Sequence, residues 1–176
     1  QIDNMLADPN AGLSPTLQAF FSGVQDVASN PASVPSRQQL ISLTQGLVAR
    51  FQSFDARLSE MRTSVNRQLS DVTAEINTLS GEIANVNDQI VRLQSDPGKP
   101  PNDLLDQRDA LLSELNKLVR VSTVGASDGS INVFIGNGQT LVLGNKPFEL
   151  AAGPSAENQQ EYGLFYVSGS KRIALS

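Results

Sequence analysis

The chain has 176 residues, 39% of them hydrophobic but only 5% aromatic, so it can hold one large domain or two small ones with a thin, aliphatic core. A net charge of −5 without any cluster of Lys and Arg argues against a nucleic-acid or anionic-membrane surface, because phosphate binding needs concentrated cations. Cys and His are both absent, which removes disulfides, thiolate metal sites, thiol catalysis, the commonest general base and the commonest transition-metal ligand together.

Residues 1–13 place Ile2, Met5 and Leu6 at helical spacing before the turn cluster Asp8-Pro9-Asn10-Ala11-Gly12, and are expected to be the tail of a helix that begins before Gln1. Ser14-Pro15 then reads as an N-cap followed by proline at the first helical position. Leu17, Phe20, Phe21, Val24 and Val27 give the helix of residues 14–29 one apolar face, and Asn30-Pro31 ends it.

Val34-Pro35 is expected to be extended, with Ser36 opening the next helix and Gln39 completing a capping box. Its apolar residues are Leu40, Leu43, Leu47, Phe51, Phe54, Leu58, Met61, Val65, Leu69, Val72, Ile76, Leu79, Ile83, Val86, Ile90 and Leu93. Every step is three or four residues, and from Leu69 the alternation is that of a heptad seam. No proline interrupts residues 36–95, so the spacing predicts a helix of about 60 residues, roughly 90 Å long at its standard rise. Such a rod needs helices from elsewhere to cover its seam. From Leu69 onward the e and g positions are Thr73, Glu75, Ser80, Glu82, Asn87, Gln89 and Gln94, without the charge ladders of a parallel homodimer. Antiparallel packing within the chain fits better, with a polar outer face left over.

The polar stretch Ser95–Asn102 predicts a tight reversal. A helix over 103–119 follows, capped by Asn102, with Leu104, Leu111, Leu115 and Leu118 as its stripe. A short loop makes the two helices antiparallel neighbours. From Arg120 the hydrophobic period falls to 2. Strands are expected around Val121–Gly125, Ile131–Ile135, Thr140–Leu143, Phe148–Ala151 and Tyr162–Val167. Asp128-Gly129 and Gly136-Asn137-Gly138 are their turns, with a loop at 153–160. The fold class expected is α+β: an elongated helical bundle on one very long coiled-coil-like helix, then a small antiparallel β region. The division is a helical domain at 1–119 and the start of an outer, incomplete β domain at 120–176. The opening at Gln1, without a signal peptide, and the strand-like Ile173 and Leu175 near the end suggest a piece of a longer protein.

No constellation supports catalysis, a cofactor or a metal. Asp103, Asp106 and Asp109 with Arg108 share one helix face, and read as a dipole-favoured solvated surface with one local ion pair. Asp128-Gly129 lacks the acidic positions of a calcium loop, and Gly136-Asn137-Gly138 is followed by neither Lys-Ser nor a helix start. The residues expected to matter are those of the packing seam: Leu58, Met61, Val65, Leu69, Val72, Ile76, Leu79, Ile83, Val86, Ile90, Leu93, Leu104, Leu111, Leu115 and Leu118.

The run Phe20-Phe21-Ser22-Gly23-Val24-Gln25-Asp26-Val27-Ala28-Ser29-Asn30-Pro31, with Arg37-Gln38-Gln39-Leu40 after it, resembles the N-terminal half of the bacterial flagellar hook-associated protein 1 family. So do Leu105-Asp106-Gln107-Arg108-Asp109, Leu111-Leu112-Ser113-Glu114-Leu115, Val133-Phe134-Ile135-Gly136 and Leu141-Val142-Leu143-Gly144, in that order. The resemblance implies a non-enzymatic structural protein at the hook–filament junction, exported unfolded and extracellular. Its implied partners are other copies in an axial ring, the hook protein and the adjacent junction protein, with no nucleic acid and no membrane. The chain alone is expected to be a monomer, with Phe51–Val65 the stretch of the long helix left without cover. The rival reading is a secreted adhesin or host-binding module using the β region, whose aromatics Phe134, Phe148, Tyr162, Phe165 and Tyr166 suit a small sheet core better than a ligand surface.

Overall fold

The computed structural model describes residues 12–94 and 101–175. The helical tail expected within residues 1–11 and most of the 95–102 reversal lie outside the described residues. Three helices come first: α1 at Leu13–Ser29, α2 at Val34–Gln94 and α3 at Asn102–Leu118. Seven strands follow: β1 at Val121–Gly125, β2 at Ile131–Ile135, β3 at Gln139–Leu143, β4 at Lys146–Pro147, β5 at Leu150–Pro154, β6 at Tyr162–Ser168 and β7 at Lys171–Ala174. The fold is α+β, with an antiparallel sheet in the order β1-β2-β3-β4 and a second in the order β5-β6-β7.

The described residues form two compact units that divide between Met61 and Arg62, inside α2. In the first unit, α1 starts one residue earlier than its sequence signal. Gly12 is the N-cap, without a side-chain capping bond, in place of Ser14. The expected apolar face is also rotated: Phe21 and Val24 point to solvent, and Gly23 is buried instead. A Cβ on Gly23 would lie 2.7 Å from Leu43 Cδ1 and 3.5 Å from Leu40 Cδ1, so the missing side chain is what lets α1 approach α2. Asn30 closes α1, its N–H reaching Asp26 O at 3.1 Å.

The start of α2 differs from expectation in its cap. Ser33, not Ser36, is the capping residue: its Oγ accepts from the Ser36 N–H at 3.3 Å and from the Ser36 hydroxyl at 2.9 Å. Val34 and Pro35 are helical rather than extended, because proline in the first turn loses only an N–H that has no helical partner there. Arg37 Nε donates to Pro31 O at 2.8 Å and its Nη2 to the same carbonyl, which fixes the α1–α2 link.

In the second unit one buried cluster joins Ile76, Ile83 and Ala84 of α2, Leu115 of α3, Val133 and Ile135 of β2, Leu141 and Val142 of β3, and Leu150 of β5. The second half of α2 therefore shares a core with the strands. A bulge between β2 and β3 serves this core. Val133 pairs with Val142 but Phe134 with Thr140, so the consecutive Leu141 and Val142 both turn inward, against strict alternation. The turn after β2 uses Gly136 and Gly138, with φ of 56° and 104°, values that a side chain would strain. β5 begins at Leu150, two residues later than the Phe148 expected, and takes in Gly153 and Pro154 from the expected loop.

Candidate functional site

The long helix seam changes character along its length. In the first unit α2 leaves Phe51 50% and Leu58 46% exposed, beside exposed Ile41 and Val48. Phe54 is buried, with the Arg50 guanidinium 4.9 Å from its ring centroid, and Met61 is half-buried. At the start of the second unit Val65 is 62% exposed. Beyond it Leu69, Val72 and Leu79 are half-buried and Ile76, Ile83, Val86 and Ile90 buried, before Leu93 emerges into solvent. On α3, Leu115 is fully buried and Leu104, Leu111 and Leu118 half-buried.

The expected polar outer face divides in two. Glu75, Glu82 and Gln89 are exposed, but Thr73, Ser80 and Asn87, seven residues apart on the other flank, are buried. Burial of a polar group costs free energy unless it is hydrogen-bonded, and each has a partner. Thr73 Oγ1 donates to Leu69 O at 2.6 Å and Ser80 Oγ to Asn77 O at 2.9 Å. Asn87 reaches across: Nδ2 donates to Ile131 O at 2.8 Å and Gly144 O at 2.7 Å, while Oδ1 accepts from Ile131 N at 3.3 Å.

Arg108 completes this joint. It forms no local ion pair with the aspartates. Its Nη1 donates to Gly129 O at 2.9 Å and lies 3.4 Å from Asn87 Oδ1, so one guanidinium ties α3 to α2 and to the β1–β2 turn. That turn is itself held by Asp128, whose Oδ1 accepts from the Ser130 hydroxyl at 2.6 Å and the Ser130 N–H at 3.0 Å. The Ser130 side-chain bond, then its backbone bond, holds the Asp128 carboxyl below the usual carboxylate range. Sequence spacing could not find this joint, because an asparagine that meets water and one that meets a strand occupy the same heptad position. The available signal was the cost of asparagine inside a helix.

Asp103, Asp106 and Asp109 stay on an exposed face, and among the described residues no group of three or more His, Cys, Asp or Glu side chains is placed to hold a metal ion. An open groove between β4 and the β6–β7 turn is lined by Lys146, Phe148, Tyr166, Ser168 and Ile173. The Tyr166 ring packs edge-on to Phe148 at 6.2 Å, and burial pushes its hydroxyl pKa up. The groove offers a mixed apolar surface with no nucleophile–base pair. No helix among the described residues is long and apolar enough to cross a membrane. Apolar seams and amide joints hold the strands to the helices.

The residues that carried the sequence resemblance are the ones with these structural tasks: Gly23 at a helix contact, Asn30 as a cap, Arg37 on Pro31, Arg108 on Asn87 and Gly129, and Gly136 in its turn. The model of the flagellar hook-associated protein FlgK helical domain matches residues 1–176. Flagellar hook-associated protein 1 of Salmonella typhimurium is 42% identical over 168 residues, covering 95% of this chain and 30% of that protein. Its namesake in Escherichia coli K12 is 38% identical over 171 residues, covering 97% of this chain and 31% of that protein. The solved structure of the flagellar hook junction protein FlgK from Burkholderia pseudomallei superposes with a TM-score of 0.87 at 35% identity, covering 100% of this chain and 32% of that one. The chain thus spans about a third of the length of these relatives. With the whole chain matched and the fold shared, the chain belongs to the FlgK flagellar hook-associated protein family, of which it carries the helical domain.

Proposed function

We propose that this chain is the helical core of a structural, non-catalytic subunit at the junction between flagellar hook and filament, outside the bacterial cell. The observation that carries this reading is the match of the whole chain to a family whose members are named hook-associated or hook junction proteins. The seam supports it. An axial subunit needs a long stiff helix and apolar surface that later packing will cover, and α2 offers the first in its buried Ile76–Ile90 seam and the second in exposed Phe51, Leu58 and Val65. Residues 1–119 form the axial helices and 120–176 begin an outer β domain. The seam of Leu58, Met61, Val65, Leu69 and the residues after it is the packing surface. Its exposed residues Phe51, Leu58 and Val65 receive polypeptide from the two-thirds of the relatives' length that this chain does not span. In the assembled flagellum the partners are further copies in an axial ring, the hook protein and the adjacent junction protein. The chain alone is a monomer.

A segment exchange tests the reading. This chain replaces the matching segment of the Salmonella relative, in cells lacking that relative. Filaments on the hooks and restored swimming are expected. A stable, exported chimera that leaves the hooks bare contradicts the proposal.

A further inference from the structure

Asparagine suits a helix interior poorly, because its carboxamide competes for backbone hydrogen bonds. Yet, besides the exposed Asn85 of α2 and Asn102 at the start of α3, α2 carries Asn66, Asn77 and Asn87, and α3 carries Asn116. All four side chains accept a hydrogen bond from the backbone N–H of the residue that opens a strand. Asn116 Oδ1 takes Val121 N, opening β1, at 3.1 Å, and Asn87 Oδ1 takes Ile131 N, opening β2, at 3.3 Å. Asn77 Oδ1 takes Leu150 N, opening β5, at 2.9 Å, and Asn66 Oδ1 takes Tyr162 N, opening β6, at 3.2 Å. Three of them also donate: Asn87 Nδ2 to Ile131 O, Asn77 Nδ2 to Leu150 O and Asn66 Nδ2 to Gln160 O, each at 2.8 Å. At Ile131 and Leu150 one carboxamide bonds both the N–H and the C=O of a single residue. This is the exchange that a hydrogen-bonded pair makes in an antiparallel ladder.

We propose that Asn66, Asn77, Asn87 and Asn116 are register pins, through which the two helices set where β1, β2, β5 and β6 begin. A strand that slips by one residue turns every side chain to the opposite face, so fixing the first residue fixes which residues enter the core. Pinned at Ile131, β2 sends Val133 and Ile135 inward; pinned at its own first residue, β5 buries Leu150. The other strands need no pin of this kind. β3 follows β2 through Gly136-Asn137-Gly138, β4 follows β3 through Gly144-Asn145, and β7 follows β6 through Gly169-Ser170. Since a pin grips the strand by its backbone alone, the outward side chains of the strands are free to vary without releasing the sheet from the helix. The interval of 11 between Asn66 and Asn77 is close to three turns, which returns a side chain to within about 20° of the same face.

The substitution Asn77→Asp separates a pin from a polar group that merely fills space. The carboxylate keeps the shape but loses the donor and sets a negative charge against the Leu150 carbonyl, whereas the protonated acid restores donor and acceptor together. The ionisable groups around it are Glu75 and Glu82 on α2 and Glu149 beside Leu150, all exposed, with Tyr166 paired across from Leu150 and its pKa raised further above this range by burial. The folded-state pKa of the new acid then lies above the ordinary value of about 3.9, so the variant is as stable as the parent below that value and loses stability as pH rises.

In urea unfolding at pH 7 the unfolding constant should rise by about 10- to 100-fold relative to the parent, and at pH 4 the two should agree to within about twofold. Asn77→Ala should show the same deficit at both pH values. Hydrogen exchange of Asn77→Asp at pH 7 should speed the Leu150 amide, and by a larger factor than the Ile131 amide, which is held by a different pin. If Asn77→Asp is unfolded at pH 7, its recovery at pH 4 is the supporting result. An equal deficit at both pH values, a variant unfolded at both, or an unchanged Leu150 amide overturns the proposal.

Discussion

Ile83 and Val65 belong to one apolar pattern on one helix, yet their environments differ completely: Ile83 is 0% exposed and Val65 62%. Ile83→Ala removes three carbons from a closed core, about 2.4 kcal/mol at roughly 0.8 kcal/mol per methylene, and the cavity left behind raises the loss to about 3–4 kcal/mol. Val65→Ala removes two carbons that are mostly in water, and alanine's better helix propensity returns about 0.5 kcal/mol, so the net loss stays under about 0.5 kcal/mol. For a chain of this length each kcal/mol moves the midpoint by roughly 3 °C, which sets about 10 °C against 1–2 °C. Urea denaturation and thermal melts of the chain, followed by far-ultraviolet circular dichroism, separate these values easily. A Val65→Ala loss matching that of Ile83→Ala would mean that the first part of the seam is already covered. An Ile83→Ala loss below about 1 kcal/mol would refute the shared helix–strand core.

Two further tests address the joint at the β1–β2 turn. Arg108→Met keeps the apolar stem but removes the charge-assisted bond to Gly129 O. It should cost about 2 kcal/mol in urea unfolding, and a loss under 0.5 kcal/mol would show that the guanidinium ties nothing down. Asp128 has its folded-state pKa depressed, chiefly by the Ser130 hydroxyl and then by the Ser130 N–H. Its contribution is therefore full above the ordinary carboxylate range and disappears as pH falls through the depressed value. The Ser130 amide resonance should titrate with a midpoint below about 3.9, and a midpoint at or above that value removes the bond from the account.

Part of this arrangement was legible in the sequence. The step of three or four from Leu69 to Leu93 exposed the seam, because a residue's place on a helix depends only on spacing, and Ile76, Ile83 and Ile90 are buried. The two glycine turns were legible because positive φ nearly requires glycine or asparagine, and Gly129, Gly136 and Gly138 all have it. The cap of α2 was not. Ser33 and Ser36 are equally good capping residues by type, and only the hydrogen bond between them shows which one lies outside the helix. Asn87 was hidden for a related reason: polarity marks a side chain as needing a partner, but not whether that partner is water or a strand. Consecutive burial of Leu141 and Val142 depends on a bulge, which period-2 patterning has no means to express.

The central claim is that α2 holds two kinds of seam: a second part already packed against α3 and the strands, and a first part, with Phe51, Leu58 and Val65 exposed, that we propose further polypeptide covers. Backbone hydrogen exchange resolved along α2 tests it most directly, on this chain and on an intact protein of the FlgK family that contains it. In the chain, the amides of Phe51–Val65 should exchange at least about tenfold faster than those of Ile76–Ile90, and in the intact protein that gap should close. Equal, strong protection of both stretches in the chain alone would contradict the account.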